Sequence, residues 1–321
     1  MTGDGGAAGK INSRAGLAVH VLRLLIVALA LQPLLAMWSQ EGLIFWFILL
    51  SGGVFIPLAL PMALYRGLPG FNRVFLLSTL LLALSLVRFS GRDAALLALA
   101  WLICCVALAL QTWLVFRQVW SFNPGVLCLA FAGVSPLIGS LWLVFHRANW
   151  FPLGFDPLIV LLTAAHFHHA GFTLPLMAGL NAKANPGCWT RFSCVAILVG
   201  VPLVAAGITC THFGVLRFVE PFGVTVLVLG ALGVAVSQIR RGVQIRSGLG
   251  FWTRTAFIVS GGSLLSAMIL AMGFGLRHVV PNWALTMPQM WMIHGTLNAF
   301  GFGLCGLLAW RGVRKESGTG L

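Results

Sequence analysis

The chain contains very few charged side chains, and acidic side chains are the scarcest. Only 8% of the 321 residues are Asp, Glu, Lys or Arg, and only 6 residues are acidic. A soluble globular domain carries about 25% charged residues, so this composition excludes a freely soluble protein. The shortage of acids also argues against a proton-coupled carrier that relies on carboxylates within the membrane.

Several familiar catalytic and binding motifs are also missing. The sequence has no G-x-S-x-G nucleophile elbow, no P-loop and no H-E-x-x-H pair. The 7 cysteines are not spaced as a zinc motif and lie mostly in apolar runs, so we expect small buried side chains rather than disulfides. The basic residues behind the net charge of +14 are scattered through short loops, which does not indicate nucleic-acid binding.

What the sequence has in quantity is long apolar segments. Hydrophobic residues make up 59% of the chain, and runs of roughly 20 residues are each long enough to cross ~30 Å of hydrocarbon. Because backbone groups in lipid need partners within the chain, and because the runs are too long for barrel strands, they predict helices. The predicted fold class is all-α, a polytopic transmembrane helical bundle that contacts the lipid bilayer.

The sequence predicts about ten spans in one membrane domain. We expect a disordered N-terminal tail at 1–15, a single transmembrane domain at 16–310 and a short cytoplasmic tail at 311–321. The spans are predicted at Gly16–Trp38, Leu43–Tyr65, Asn72–Arg88, Asp93–Phe116, Phe122–Phe145, Pro157–Leu180, Phe192–Cys210, Phe213–Ser237, Arg254–Gly275 and Pro288–Trp310.

The loop charges predict the orientation of these spans. If the N-terminus is cytoplasmic, 15 of the 20 basic residues fall on the cytoplasmic side. Cytoplasmic loops of membrane proteins carry an excess of Lys and Arg, and this distribution agrees with that rule. Both termini are therefore predicted to be cytoplasmic. The five basic residues on the other side are Arg88, Arg92, Arg147, Arg217 and Arg277.

The sixth predicted span carries polar side chains inside an apolar run, namely Thr163, His166, His168 and His169. Imidazoles are costly in hydrocarbon unless they have partners or a function. His166 and His169 are three residues apart and share a helical face, whereas His168 points about 100° away from its neighbours. We therefore expect one imidazole to bond elsewhere. The simpler alternative is that these histidines only fix helix packing.

The last predicted span carries a second polar stripe. His294 and Asn298 are four residues apart and share a face, and Gly295 lets a helix or a ligand approach closely. Glu220 in the eighth span completes the set, unless it only forms an interfacial ion pair with Arg217. Counting about 1.5 Å per residue, these groups lie at overlapping depths in the outer half of the bilayer. This predicts one shared, buried polar pocket if the three helices are neighbours.

Two segments carry these polar residues in a distinctive pattern: Thr163–Phe172, TAAHFHHAGF, and His294–Phe302, HGTLNAFGF. They resemble the YndJ-like family of bacterial membrane proteins, which has similar His-Phe-His…Ala-Gly-Phe and His-Gly…Leu-Asn-Ala…Gly-Phe elements. An aromatic residue often stands in that family where this chain has His169. The resemblance therefore favours the other histidines and Asn298, and it implies a multi-pass protein of the bacterial inner membrane.

We expect an integral-membrane enzyme that performs acid–base chemistry on a lipophilic small molecule, because histidine titrates near neutrality. Isomerisation, cyclisation of an isoprenoid or polyketide, or epoxide opening would fit, and no cofactor is expected. His166 or His168 would be the base and His294 the acid or electrophile. Asn298 would orient His294, and Glu220 would stabilise an imidazolium. The residues expected to bind substrate are Thr163, His169, Phe172, Gly295 and Phe302.

Two other functions remain open. The first is a haem- or metal-binding protein with His166, His168 and His294 as ligands, because imidazole binds zinc, copper and haem iron. A Soret band or stoichiometric metal would favour it. The second is a small-molecule transporter in which histidine acts as a proton-linked switch.

Overall fold

The computed structural model describes residues 40–62, 71–244, 248–283 and 285–317 as a helical bundle without strands in those ranges. Within them, eight helices are long and apolar enough to cross a membrane, and Arg73–Val87 is a shorter apolar helix. These helices confirm the predicted polytopic all-α fold. The predicted tail 1–15 and first span Gly16–Trp38 lie outside the described residues, and the division into domains stays a prediction.

The helices follow the predicted order from the second span to the tenth. We number the α-helices as follows: α1 Gln40–Leu50, α2 Ile56–Ala59, α3 Phe71–Val87, α4 Arg92–Phe116, α5 Pro124–Arg147, α6 Pro157–His168, α7 Ala170–Ala184, α8 Cys188–His212, α9 Val219–Val243, α10 Phe251–Gly275, α11 Met287–Gln289 and α12 Cys305–Ser317. One predicted start is clearly wrong: the eighth span begins at Val219 rather than Phe213, because a loop with Leu216 at φ 42° precedes it.

The sixth predicted span is two helices with a break at His169, where φ is −110° and ψ is −79°. In a regular helix the Phe172 N–H would bond to the His168 carbonyl, but here it donates to the His169 carbonyl at 3.1 Å. The His168 carbonyl instead accepts from Ser51 Oγ at 2.5 Å. The break is therefore joined directly to the first described span.

Among the described residues, three π-helical segments interrupt the first described span and the last span. One lies between α1 and α2 at Ser51–Phe55, and two lie in the last span at Met290–His294 and Leu297–Leu304. Insertions of this kind widen a helix locally and often occur at functional sites. A Cβ atom on Gly295 would lie 2.8 Å from the Phe47 ring, so this glycine admits a neighbouring helix.

The two ends of the bundle differ in charge. We call the end with Arg147 and Arg277 the outer end and the end with Arg241 and Arg314 the inner end, following the predicted topology. The outer end holds five basic residues, Arg88, Arg92, Arg147, Arg217 and Arg277. The basic residues at the described inner helix ends are Arg73, Arg117, Lys183, Arg191, Arg240, Arg241, Arg254, Arg311, Arg314 and Lys315. This distribution is the one expected of an inner-membrane protein.

Candidate functional site

A small cavity of about 60 Å³ lies where α1, the α6–α7 break and the last span meet. Its wall is formed by Ile44, Phe47, Leu162, Ala165, His166, His169, Ala170, Trp291, His294, Gly295 and Asn298. A volume of roughly 10–15 Å³ on this scale holds one water molecule, so the cavity suits a small group rather than a whole lipid. The two histidine-bearing segments of the sequence therefore do meet.

His169 lies between α6 and α7 and is 7% exposed. Its Nε2 is 2.6 Å from the Phe47 carbonyl oxygen, and because a carbonyl only accepts, Nε2–H is the donor. In the neutral ring Nδ1 then carries a lone pair, and this buried atom has no hydrogen-bond partner in the described chain. The rings of Phe47 and Phe55 pack against the imidazole in T-shaped arrangements, with centroid distances of 5.9 and 5.2 Å. The lone pair is thus held in a fixed direction.

His166 is the exposed histidine of the cavity wall. Its Nδ1 is 2.7 Å from the Leu162 carbonyl and therefore donates to it. The neutral ring then has an acceptor at Nε2. His166 and His169 share the helical face that their spacing predicts, and together they give the cavity two imidazole acceptors.

His294 and Asn298 form a fixed pair on the opposite wall. His294 Nδ1–H donates to the Ala267 carbonyl at 2.9 Å, and Asn298 Nδ2 donates to His294 Nε2 at 3.0 Å. Asn298 Nδ2 also donates to the His294 carbonyl at 2.9 Å. Asn298 therefore orients His294, and both nitrogens of the neutral ring are engaged. Nearby, the buried Nε1–H of Trp291 has no hydrogen-bond partner in the described chain.

His168 lies outside the cavity and is fully buried. Its Nδ1–H donates to the Ala164 carbonyl at 2.8 Å, and its Nε2 accepts from Trp101 Nε1 at 2.9 Å. It is therefore the imidazole that bonds elsewhere. A base or a metal ligand needs an unshared nitrogen, so the contacts of His168 argue against either role.

Glu220 also lies away from the cavity, at the outer end of α9. Its carboxylate pairs with Arg277, at 2.6 Å to Nη1 and 3.1 Å to Nη2, and accepts from Thr211 Oγ1 at 2.6 Å. The sequence left open an interfacial ion pair of Glu220 with Arg217 as the alternative to a place in the pocket. An ion pair does form, but its partner is Arg277, because the chain brings the start of α9 beside the end of α10. Of the three spans expected to form the pocket, only the sixth and the tenth line the cavity.

Three other predicted substrate contacts do not line the histidine cavity. Thr163 Oγ1 donates within its own helix to the Ile159 carbonyl at 2.8 Å. Phe172 lines a separate apolar cavity of about 20 Å³. Phe302 is buried, and its carbonyl oxygen lies 2.8 Å from Ser260 Oγ.

Six residues of the cavity wall were not singled out from the sequence, and two of them, Trp291 and Phe47, matter for its polar groups. Trp291 is three residues before His294, so helical spacing could have indicated it. Phe47 contributes its backbone carbonyl as well as its ring. Every residue has a backbone carbonyl, so a pattern of side chains cannot predict which one accepts this hydrogen bond.

A cation site with three or more protein ligands is not formed by the described side chains, because no cluster of three or more His, Cys, Asp or Glu occurs among them. The predicted ligand set is divided, with His166 and His294 at the cavity and His168 bonded to Trp101.

The apolar spans and the charge distribution define a multi-pass helical membrane protein. The family model described as YndJ-like protein matches residues 46–302, which include both histidine-bearing segments. The chain therefore belongs to the YndJ-like family. It is 29% identical over 175 residues to the Uncharacterized membrane protein YndJ of Bacillus subtilis (strain 168), an alignment that covers 54% of this chain and 30% of that protein. No solved structure matches the chain.

Proposed function

We propose that this chain is an integral-membrane enzyme whose histidine cavity performs acid–base chemistry on a lipophilic small molecule. One observation carries the proposal: the buried His169 Nδ1 acceptor and the buried Trp291 Nε1 donor have no partner in the described chain, and both residues line the same small cavity. Leaving such a group unpaired costs about 1–3 kcal/mol. A ligand oxygen that accepts from Trp291 and donates toward His169 would satisfy both groups.

The contacts support a different proposed role for each polar residue. The family resemblance and the spacing favoured His166 or His168 as the base. In this proposal His169 is the base instead, because its Nδ1 is unshared and the Phe47 carbonyl stabilises the imidazolium that forms. Trp291 binds the substrate oxygen, and His166 offers a second nitrogen to receive the proton from His169. His294 and Asn298 form a rigid wall. In an isomerisation, the proton leaves one substrate atom and returns to another, so no oxidant or reductant is needed.

The cavity size favours some of these reactions over others. A volume of about 60 Å³ accommodates a reacting group, whereas sites for drug-sized ligands measure roughly 300–1,000 Å³. Moving a proton within one end of an isoprenoid or polyketide therefore fits better than folding the whole chain for cyclisation. The remainder of such a substrate would lie beyond the exposed His166, among the lipids.

The test compares lipid extracts of cells that express the wild-type chain, His169→Phe or Thr163→Val, by untargeted mass spectrometry. His169→Phe keeps an aromatic ring of similar size but removes both nitrogens. Thr163→Val is the matched control, because Thr163 is in the same span but bonds only within its helix. We expect a pair of isomers whose ratio is the same in cells with wild type and with Thr163→Val, and different in cells with His169→Phe. The same ratio in cells with wild type and with His169→Phe would contradict the proposal.

The same unshared nitrogens support a second candidate, a haem- or metal-binding protein. Its ligands would be His166 Nε2 and His169 Nδ1 rather than His166, His168 and His294, because the other two rings already use both nitrogens. Stoichiometric metal in the purified wild-type protein, lost in His169→Phe, would favour this candidate over the enzyme.

A further inference from the structure

A second polar cluster lies at the inner end of the bundle, between α7, α9, α10 and α12. At its centre, the Arg241 guanidinium carbon lies 4.7 Å from the Trp310 ring centroid and 5.8 Å from that of Phe257. The amide orientation that satisfies Asn185 places its oxygen 2.8 Å from Arg241 Nη2. We call this group the inner cluster; its polar side chains are Asn181, Asn185, Gln238, Arg241 and Trp310.

The residues of the inner cluster lie on facing sides of their helices. Gln238 is one turn from Arg241 on α9, and its Oε1 accepts from Ser260 Oγ at 2.6 Å. Asn181 is in the last turn of α7, four residues before Asn185, which directly follows the helix. Asn181 is also one turn from Met177, which packs against Gly306 of α12. Trp310 is in turn one helical turn beyond Gly306. The helical spacing therefore directs the other four side chains of the cluster toward the same interhelical space, and Asn185 reaches it through its contact with Arg241.

The inner cluster has a large excess of unused hydrogen-bond donors. Four buried nitrogen atoms that carry hydrogen have no hydrogen-bond partner in the described chain: Asn181 Nδ2, Gln238 Nε2, Arg241 Nε and Trp310 Nε1. In the same cluster, one buried acceptor, Asn181 Oδ1, has no partner in the described chain. Asn181, Gln238 and Trp310 are each at most 2% exposed. Buried donors are normally satisfied, so an excess of this kind points to a ligand that accepts hydrogen bonds.

The charge of Arg241 is also not balanced by a described carboxylate. The acids whose side chains the structure describes all begin helices at the outer end: Glu41, Asp93, Asp156 and Glu220. The ion pair found among described residues joins Arg277 to Glu220. Burying a cation is costly unless an anion or several acceptors compensate it.

We propose that the inner cluster binds an oxyanion of the phosphate type. Arg241 supplies the charge and a planar donor fork that matches phosphate oxygens, and Asn181, Gln238 and Trp310 supply neutral donors. The exposed Asn185 connects the cluster to the inner membrane surface, where anionic lipid headgroups and soluble phosphate are both present. This site is separate from the histidine cavity and does not depend on its proposed chemistry.

The experiment measures the melting temperature of the full chain in lipid nanodiscs under two conditions. In the first, phosphatidylcholine discs are titrated with inorganic phosphate, with chloride at equal ionic strength as the reference. In the second, phosphatidylglycerol replaces part of the phosphatidylcholine, without phosphate. Arg241→Gln is compared with Arg240→Gln, which removes the same charge from an exposed neighbouring position.

We expect wild type and Arg240→Gln to melt at a higher temperature with increasing phosphate or with phosphatidylglycerol, and Arg241→Gln not to respond. A response to inorganic phosphate identifies a soluble oxyanion, and a response only to phosphatidylglycerol identifies a lipid headgroup. If wild type responds to neither, or if Arg241→Gln responds like Arg240→Gln, the proposal is wrong.

Asn181→Leu keeps the proposal testable if Arg241→Gln does not fold. It replaces two buried, unpartnered polar atoms by an apolar group of similar volume, which is neutral or stabilising in the absence of a ligand. We expect this variant to fold and to show a weaker response to the oxyanion. A fully retained response would show that Asn181 does not contact the anion and would overturn the proposed site.

Discussion

At the scale of single residues, the three neighbouring histidines differ in what their ring nitrogens contact. His168 uses both nitrogens, whereas His166 and His169 each use one to donate to a carbonyl. Helical spacing predicted that His168 would point away from the other two, because 100° separates successive residues. It could not predict that Trp101, 67 residues away, would be the partner.

The space occupied by His168 depends on Gly139. A Cβ atom there would lie 2.5 Å from His168 Nδ1 and 2.9 Å from the Ala164 carbonyl oxygen. Because overpacking a core costs about 1–3 kcal/mol, we expect Gly139→Ala to lower the melting temperature of the purified protein. The matched control is Gly262→Ala, where nothing lies within 4 Å of the added atom. Equal melting temperatures for the two variants would contradict the packing described for His168.

At the scale of helices, the cavity exists because two spans are irregular where they face each other. The apolar length of both spans predicted helices correctly, but it did not predict the break at His169 or the π-helical segments. Length and hydrophobicity are satisfied equally by a straight helix. The irregular geometry comes from hydrogen bonds between spans, such as the one from Ser51 to the His168 carbonyl.

Ser51→Ala tests that link between the first described span and the break. It leaves the buried His168 carbonyl without the Ser51 hydroxyl, which we expect to cost about 1–3 kcal/mol. Ser266→Ala serves as the control, since Ser266 is exposed and bonds only within its own helix. The measurement is the midpoint of thermal unfolding in detergent. A midpoint for Ser51→Ala no lower than that of the control would argue against the link.

At the scale of the whole molecule, the inner and outer ends are held by different polar groups. Glu220, Arg277 and Thr211 join α8, α9 and α10 at the outer end, and the inner cluster joins α7, α9, α10 and α12. Counting residues from the helix ends predicted that Glu220 lies at a depth near that of the cavity, but it could not predict which helices surround Glu220. Depth follows from the rise per residue, whereas lateral position follows from which helices pack together.

Glu220→Gln is expected to destabilise the outer end. The carboxylate is buried, and Arg277 is about a quarter exposed, so solvent screening reduces the loss to about 1–3 kcal/mol. Arg217→Gln changes the partner that the sequence left open as an alternative, and it should have almost no effect. The measurement is the thermal unfolding midpoint of both variants. A larger loss of stability for Arg217→Gln than for Glu220→Gln would contradict the pairing of Glu220 with Arg277.

The apolar runs were enough to establish a multi-pass helical membrane protein, because hydrocarbon forces any long segment within it to satisfy its own backbone. Helical spacing was likewise enough to put His166 with His169 and His294 with Asn298 on shared faces. The packing of the spans determined that these two faces meet, that His168 turns to Trp101 and that Glu220 pairs with Arg277. These partners are far apart in the chain, and a local pattern contains no information about which helices become neighbours.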